Sequence, residues 1–497
     1  MTDRTTRREL SLGAAILPVL VMFGLFITGA ISLGIAPELL VAVLLCSAAV
    51  AGVIAVRHGH TWEEIQRALC DKFAAVLPVI LILLAIGMLI STWILSGTIP
   101  FLVYWGVKLV RPEYLALTAF VATAIMSSFT GTSWGSAGTI GVAFMGTAVA
   151  LDAPLGIIAG AIVSGAYLGD KMSPLSDSTI ISALSAGTPL YTHIRHMLYT
   201  ATPSFVIALV VYFLAARLAP SSTAGLPDSA LALLADIEQV FALHWTALIP
   251  PALVVWSIVR RRPATLAIAL SSLAAALIGI VIQDFAVLDA IKAAVSGFRL
   301  EMVAATEVET GSLTPAFATL VQRGGLYSMA TTLVVIIAAF LLAAGMEVSG
   351  ALDLLIGRML RAVRSTFGLI AATMGAGLTM IGLTSHGGVT ALLIGGIFQD
   401  GYRERGLAPE NLSRSIEDSV TITEPLMPWT VSASFMAGTL GVPTLEYAPW
   451  AVFCYGGPVF SLLIAALYRR TGYGIKRLST VETITPDRPP APPVAAG

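Results

Sequence analysis

Charge is scarce in this sequence: of 497 residues only 11% are Asp, Glu, Lys or Arg, while 57% are hydrophobic. Soluble domains carry about 25% charged residues. A chain this long with so few charges cannot cover a water-facing surface, so its apolar excess must face lipid. Cysteine is also scarce. Cys46, Cys70 and Cys454 are scattered, which excludes a disulfide framework and any zinc-type spacing; Cys46 and Cys454 lie in apolar runs and read as small core residues. There is no basic domain and no basic patch interleaved with aromatics, and the net charge of -1 gives no pull toward nucleic acid. No cofactor motif is present. Arg4, Arg7 and Arg8 precede an apolar run, as in a signal peptide, but the run is too long for an h-region and no A-x-A site ends it, so a retained first helix is expected.

What is abundant is the long uncharged run. Leu10–Ile35 has no charge at all, and a span needs about 20 apolar residues. Similar runs recur at Leu39–Val56, Phe73–Ile99, Tyr114–Phe129, Met197–Leu214, Ala264–Ile282, Leu326–Met346, Phe367–Leu383 and Ala448–Leu467. Lipid offers backbone groups no partners, so these should be helices. The fold class expected is therefore an all-α polytopic membrane protein. Basic residues cluster at Arg4–Arg8, Arg57–Lys72, Arg260–Arg262, Arg358–Arg364, Arg403–Arg414 and Arg469–Arg477, which marks these segments, and both termini, as cytoplasmic and favours an even number of crossings. The division expected is a cytoplasmic N-terminus over 1–9, a first membrane half over 10–218, polar connections and intervening helices over 219–323, a second membrane half over 324–470 and a disordered tail over 471–497. Within the connections, Ala219–Val240 and Gln283–Arg323, with Glu301, Glu307 and Glu309, read as extramembrane or interfacial. Trp62–Phe73 reads as an amphipathic surface helix or a plain loop helix.

Several segments are not simple spans. Ser127–Leu151 is apolar but full of Gly, Ser and Thr, and GDKMSPLSDST at Gly169–Thr179 puts two acids, a lysine and a proline directly after the apolar run Leu155–Leu168. TSHGG at Thr384–Gly388 and EDSVTITEPLMP at Glu417–Pro428 interrupt the second half in the same way. These interruptions pair at offsets of roughly 250 residues: Ser96-Gly97 with Ser349-Gly350, Thr132-Ser133-Trp134-Gly135 with Thr384-Ser385-His386-Gly387, and Asp170 with Asp418 if a short insertion is allowed. Interrupted helices in matching places of two halves are the pattern of a secondary transporter.

The interruptions carry the chemistry. A charge inside a membrane segment costs about 2.5–3.5 kcal/mol on insertion scales and persists when it faces an aqueous path or a partner. Asp170 and Asp177 flank Pro174, which breaks the helix, and Ser173, Ser176, Ser178 and Thr179 bring hydroxyls beside them. Hard cations take oxygen ligands, so Asp170 and Asp177 are candidate sodium ligands; a boundary ion pair of either acid with Lys171 is the plainer alternative. Asp418 and Glu424 have the same character, and Glu424 precedes Pro425, where α geometry is disfavoured. Glu417 reads as a solvated residue of the polar loop. Thr132, Ser133, Ser136, Thr384 and Ser385 either line the path or allow close helix packing. His386 is a candidate pH-responsive group facing the site, against a packing role. The paired histidines His58/His60 and His193/His196 read as solvated interfacial residues. Gly131–Gly135 matches G-x-S-x-G literally, so an intramembrane serine hydrolase using Ser133 and His386 is a remote alternative, but a membrane helix hairpin is not the strand–turn–helix an elbow requires.

These segments resemble the NhaC-type sodium/proton antiporter family. The likeness is carried by SWGSAGTIGVAFMG, GAIVSGAYLGDKMSPLSDST and YTHIRHM within Ser133–Met197, by RGGLYSM at Arg323–Met329, and by YRERGLAPENLSRSIEDS, EPLMPW and MAGTLGVPTL within Tyr402–Leu445. The resemblance implies inverted repeats with interrupted helices and re-entrant hairpins, and a mobile transport unit against a scaffold. It also implies exchange of Na+ for H+ as coupling ions across the inner membrane; some relatives exchange carboxylates such as malate and lactate or move amino acids, which is the alternative function. Partners implied are the bilayer and a small ion or solute, with a homodimer left open. Two positions depart from the family pattern. An acid and an amide usually follow the second-half Thr-Ser, where this chain has His386 and Gly387, and a small polar residue usually stands at Glu424. Either one acid has moved across the site or the substrate differs.

Overall fold

The computed structural model describes residues 10–33, 37–218, 228–260, 262–303, 310–361 and 365–478. Among these residues the chain is helical throughout, with one isolated β-bridge between Leu407 and Arg477. Nine helices are long and apolar enough to cross a bilayer, or ten if Asp228–Val240 and Trp245–Ser257, bent by 103° at a short break, form one span. Their outer faces are apolar: Leu20 and Ile31 of the Leu12–Leu33 helix are 62% and 82% exposed. Such continuous exposed apolar surface belongs against lipid.

The Trp62–Leu95 helix runs for 34 residues, about 51 Å at 1.5 Å per residue, well beyond a hydrocarbon core of about 30 Å. Trp62–Phe73 is therefore the extramembrane beginning of this span and not a separate surface helix. No Gly or Pro interrupts the sequence before Pro78, and a capping box between Thr61 and Glu64 starts the helix outside the apolar run. The helix ends at Ser96-Gly97, with Gly97 at φ 75°, as Ala330–Val348 ends at Ser349-Gly350, with Gly350 at φ 74°.

Small residues let the central helices approach. A Cβ at Gly165 of the Leu155–Met172 helix would lie 2.3 Å from the Phe120 carbonyl oxygen of the Leu115–Thr130 helix. Only glycine permits that crossing, a membrane-type contact between backbones. One apolar core forms around Trp93, Phe120, Tyr212 and Phe435, and a second around Leu369, Phe398, Tyr402 and Trp429; the candidate site lies between them.

Two readings of the sequence change here, those of the tail and of Cys46. Residues 228–240 are a helix burying Ala230, Leu233 and Ile237, because its apolar residues recur at helical spacing although its mean hydropathy is low. Glu307 and Glu309 lie outside the described residues, as do 1–9 and the tail beyond Leu478. The ordered chain extends past Thr471, where Arg414 Nη1 donates to the Gly474 carbonyl at 2.5 Å and Asn411 bonds Lys476 through both its amide atoms. Cys454 is buried as expected, whereas Cys46 is exposed on an outer helix face.

Candidate functional site

Two helix breaks build the site. In the first half the Leu115–Thr130 helix stops at Gly131, which is left-handed at φ 69°, and Thr132 caps the next helix by accepting the Gly135 N–H at 3.2 Å. In the second half the Thr366–Thr384 helix stops at Ser385, left-handed at φ 61°, and His386 caps the next helix by accepting the Val389 N–H on Nδ1 at 3.4 Å. A left-handed residue other than glycine costs about 1–2 kcal/mol; the Ser385 carbonyl accepts the Val431 N–H at 3.0 Å, which holds it there. Across the breaks Thr130 Oγ1 meets Ser136 Oγ, and Thr384 Oγ1 meets Thr390 Oγ1.

These pairs fix the internal register at 254 residues (386 minus 132), and it runs without a gap from the breaks to Gly187 and Gly441. The helices starting at Leu155 and Pro409, the caps Ser176 and Thr430, and the left-handed ends Gly187 and Gly441, both at φ 72°, all obey it. This corrects the pairing read from sequence by two residues at the break: His386 is the counterpart of Thr132, not of Trp134. It also needs no insertion, and the counterpart of Asp170 is Glu424 rather than Asp418. The Thr-Ser strings had aligned by letter, whereas the structural signal is the left-handed turn followed by a cap.

A cavity of about 290 Å³ lies between the breaks. Its lining includes six pairs related by the 254-residue register: Thr132 and His386, Ser133 and Gly387, Trp134 and Gly388, Tyr167 and Thr421, Asp170 and Glu424, and Ser178 and Ser432. The Ser133 hydroxyl donates to Asp170 Oδ2 at 2.8 Å. The carbonyls of Asp170 and Lys171, freed where the Leu155–Met172 helix ends, accept from Thr179 Oγ1 at 3.1 Å each. Trp134 stacks on Phe435 with ring centroids 4.3 Å apart, closing one wall. Their counterparts Gly388 and Ile181 also line the cavity, as does Asp177, which is exposed and marks its mouth.

Of the residues singled out in the sequence, Asp170, Asp177, Thr132, Ser133, Ser176, Ser178, His386 and Glu424 line this cavity. Ser136, Ser173, Thr179, Thr384, Ser385 and Asp418 do not. Ser173 Oγ accepts the Leu175 N–H in the turn, Thr384 bonds Thr390, and Ser385 makes the left-handed turn. Asp418 is buried behind the cavity, where it accepts Lys171 Nζ and, at 3.2 Å, Thr200 Oγ1. The boundary ion pair of Lys171 with Asp170 or Asp177 is thus replaced by a buried pair with Asp418 that joins the two halves.

Glu417 corrects the solvated-loop reading: it is 1% exposed, lines the cavity, and accepts from Ser178 at 3.4 Å. The signal was the repeat itself, since Pro409–Ile416 and the π-helical turn Glu417–Thr421 match the buried Leu155–Met172 helix. π-Helical turns are frequent at functional sites. His193 and His196 are also buried rather than solvated, with His193 Nδ1 2.7 Å from Ser413 Oγ. The G-x-S-x-G match is no nucleophile elbow, because the Ser133 hydroxyl gives its proton to a carboxylate and not to the His386 imidazole.

The chain matches the sequence profile of the Na+/H+ antiporter family over residues 4–189 and 165–467. It is 43% identical over 435 residues to an uncharacterized Na(+)/H(+) antiporter of Haemophilus influenzae, covering 88% of this chain and 91% of that protein. It is 34% identical over 461 residues to the Na(+)/H(+) antiporter NhaC of Alkalihalophilus pseudofirmus, covering 93% and 96%. It is 30% identical over 459 residues to a malate-2H(+)/Na(+)-lactate antiporter of Bacillus subtilis, covering 91% and 94%. These relatives are antiporters and not enzymes, and their overlaps take in both helix breaks and the cavity between them: the chain belongs to the Na+/H+ antiporter family.

Proposed function

We propose that this chain is a secondary antiporter of the inner membrane exchanging Na+, or another monovalent cation, for H+. The observation that carries the reading is Asp170, a carboxylate held by Ser133 at a helix break and open to a polar cavity inside the membrane region. A carboxylate can hold either a proton or, with neighbouring oxygens, a hard cation. Competition for one site couples the two fluxes.

The charge balance favours a cation over an organic anion. Asp170, Asp177, Glu417 and Glu424 line the cavity, while its one basic side chain, Lys171, is engaged by Asp418. An acidic cleft raises the local concentration of cations and repels dicarboxylates. In proteoliposomes tested side by side with sodium, lithium, potassium, malate, lactate and amino acids, a monovalent cation gradient should drive proton movement. Flux of an organic anion or amino acid without any cation-driven proton movement would refute the reading.

The basic clusters support a cytoplasmic position for both termini. A cysteine introduced at Ser479, in a background without Cys46, Cys70 and Cys454, should resist an impermeant maleimide in intact cells and react after lysis. Labelling in intact cells would reverse the orientation.

A further inference from the structure

The register that pairs Asp170 with Glu424 also pairs Ser133 with Gly387, and the two pairs differ in compensating ways. Glutamate is one methylene longer than aspartate, and glycine lacks the side chain that serine has. A Cβ at Gly387 would lie 2.5 Å from Glu424 Oε2. The longer carboxylate therefore stands in the space that the Ser133 side chain fills in the first half. Both acids reach the same station, the amino end of the helix that follows the break. Asp170 lies against the Ser133 backbone and hydroxyl, and Glu424 against the Gly387 backbone and Ser432. Backbone N–H groups at that end have no helical partner and suit an anionic group.

A buried polar atom points to a ligand beside these acids. Glu417, 1% exposed and lining the cavity, has an unpartnered Oε2. Tyr167, 5% exposed, is within electrostatic reach of both Asp170 and Glu424 and stands beside Ser432 and Trp134. Leaving a buried carboxylate oxygen unsatisfied costs about 1–3 kcal/mol, so the space beside it suits a species that bonds oxygen.

We infer that Glu424 with Gly387 is a second ion half-site, the repeat copy of Asp170 with Ser133, so that cation binding displaces two protons from this protein. The inference rests on the antiporter reading and adds the proton count to it. A purely structural Glu424, anchoring the break through Gly387, is the competing explanation. The charged and titratable groups facing Glu424 are His386 before the break helix, Tyr167, Asp170 and Lys171 on the Leu155–Met172 helix, Asp177 at the mouth, and Glu417 on the π-helical turn. All of these are unchanged in the Glu424 and Gly387 variants below.

The test is linkage. The pH dependence of an apparent affinity counts the protons that binding releases. Equilibrium binding of radioactive sodium to the purified full chain should tighten by about two decades per pH unit on the acid side of the profile, and by about one decade in Glu424→Gln. Glutamine keeps the shape and an acceptor for Gly387, so an anchoring role would leave the slope of two intact, and that result would overturn the half-site. Gly387→Ser alone places a Cβ on the carboxylate, and Glu424→Asp alone withdraws it. Each should weaken binding by about tenfold, the effect of about 1.4 kcal/mol, and lower the slope. The double variant Gly387→Ser/Glu424→Asp rebuilds the first-half arrangement and should restore both affinity and slope; additive losses would refute the equivalence of the two half-sites. Full sodium affinity in Asp170→Asn would instead refute the cation-site reading on which the inference rests.

Discussion

Asp170→Asn is expected to abolish sodium–proton exchange while the protein still inserts and stays monodisperse. Asparagine is isosteric and still accepts the 2.8 Å bond from Ser133, so the break should keep its geometry. What it loses is the charge. A neutral amide neither neutralises a bound cation nor takes up and releases a proton, and exchange needs both from one group. Losing one charge-assisted ligand of about 3 kcal/mol lowers cation affinity by about 100-fold, and loss of the proton leg removes coupling altogether. Sodium-driven pH change in proteoliposomes is the measurement. Flux near the wild-type rate would remove Asp170 from the mechanism. Asp177→Asn should behave differently, although the sequence puts the two acids on an equal footing. Asp177 is exposed at the first position of the Asp177–Ala186 helix, at the mouth of the cavity. It should act by steering, which changes association rates by about tenfold or more at low salt, so its loss should raise the apparent KM for sodium, fade with ionic strength and leave the maximal rate intact.

How much of this could be read from the sequence depended on how loudly each segment departs from water-soluble composition. The apolar runs found the spans because a membrane helix must be apolar all along its lipid-facing side, and Leu10–Ile35 or Leu326–Met346 have no other use. The helix from Pro409 was harder to see. Its residues PENLSRSI are polar, yet Glu410 through Ile416 are all buried, because the helix lies wholly inside protein and meets no lipid. Hydropathy reports contact with lipid, not depth, so Glu417 looked solvated. The repeat was visible as repeated letters but not in its true register. Gly131 and Ser385 perform one backbone task with different side chains, as do Thr132 and His386, and Asp170 and Glu424. Matching Thr-Ser to Thr-Ser aligned the letters and displaced the functions. For His386 this matters directly: its Nδ1 accepts the Val389 N–H at a helix start, a role that needs a neutral ring nitrogen and that Thr132 fills with a hydroxyl. His386 is therefore first a cap.

The largest expected effect on stability comes from the pair the sequence misassigned. Lys171 ends the Leu155–Met172 helix of the first half, Asp418 sits in the π-helical turn of the second, and the two side chains are 1% and 0% exposed. Taking two charges out of water costs several kcal/mol per ion, which their attraction offsets only while both are present. Lys171→Met leaves Asp418 with Thr200 as its remaining partner, since its second oxygen, Oδ2, has none. Asp418→Asn leaves a buried ammonium with Thr200 at 3.5 Å, the Phe453 ring at 5.9 Å and the Glu417 carboxylate as its neighbours. Each single variant should lose about 3–5 kcal/mol, seen as a lowered thermal midpoint in detergent and a smaller monodisperse fraction. The double variant Lys171→Met/Asp418→Leu removes both charges together and should recover most of that loss, because a buried pair replaced by apolar residues of similar volume is often neutral. Such recovery, with exchange still present, would show that the pair serves to lock the two halves beside the cavity. If either single variant is as stable as the wild type, the halves are held by packing alone, and the pair has no part in fixing the distance between the two breaks.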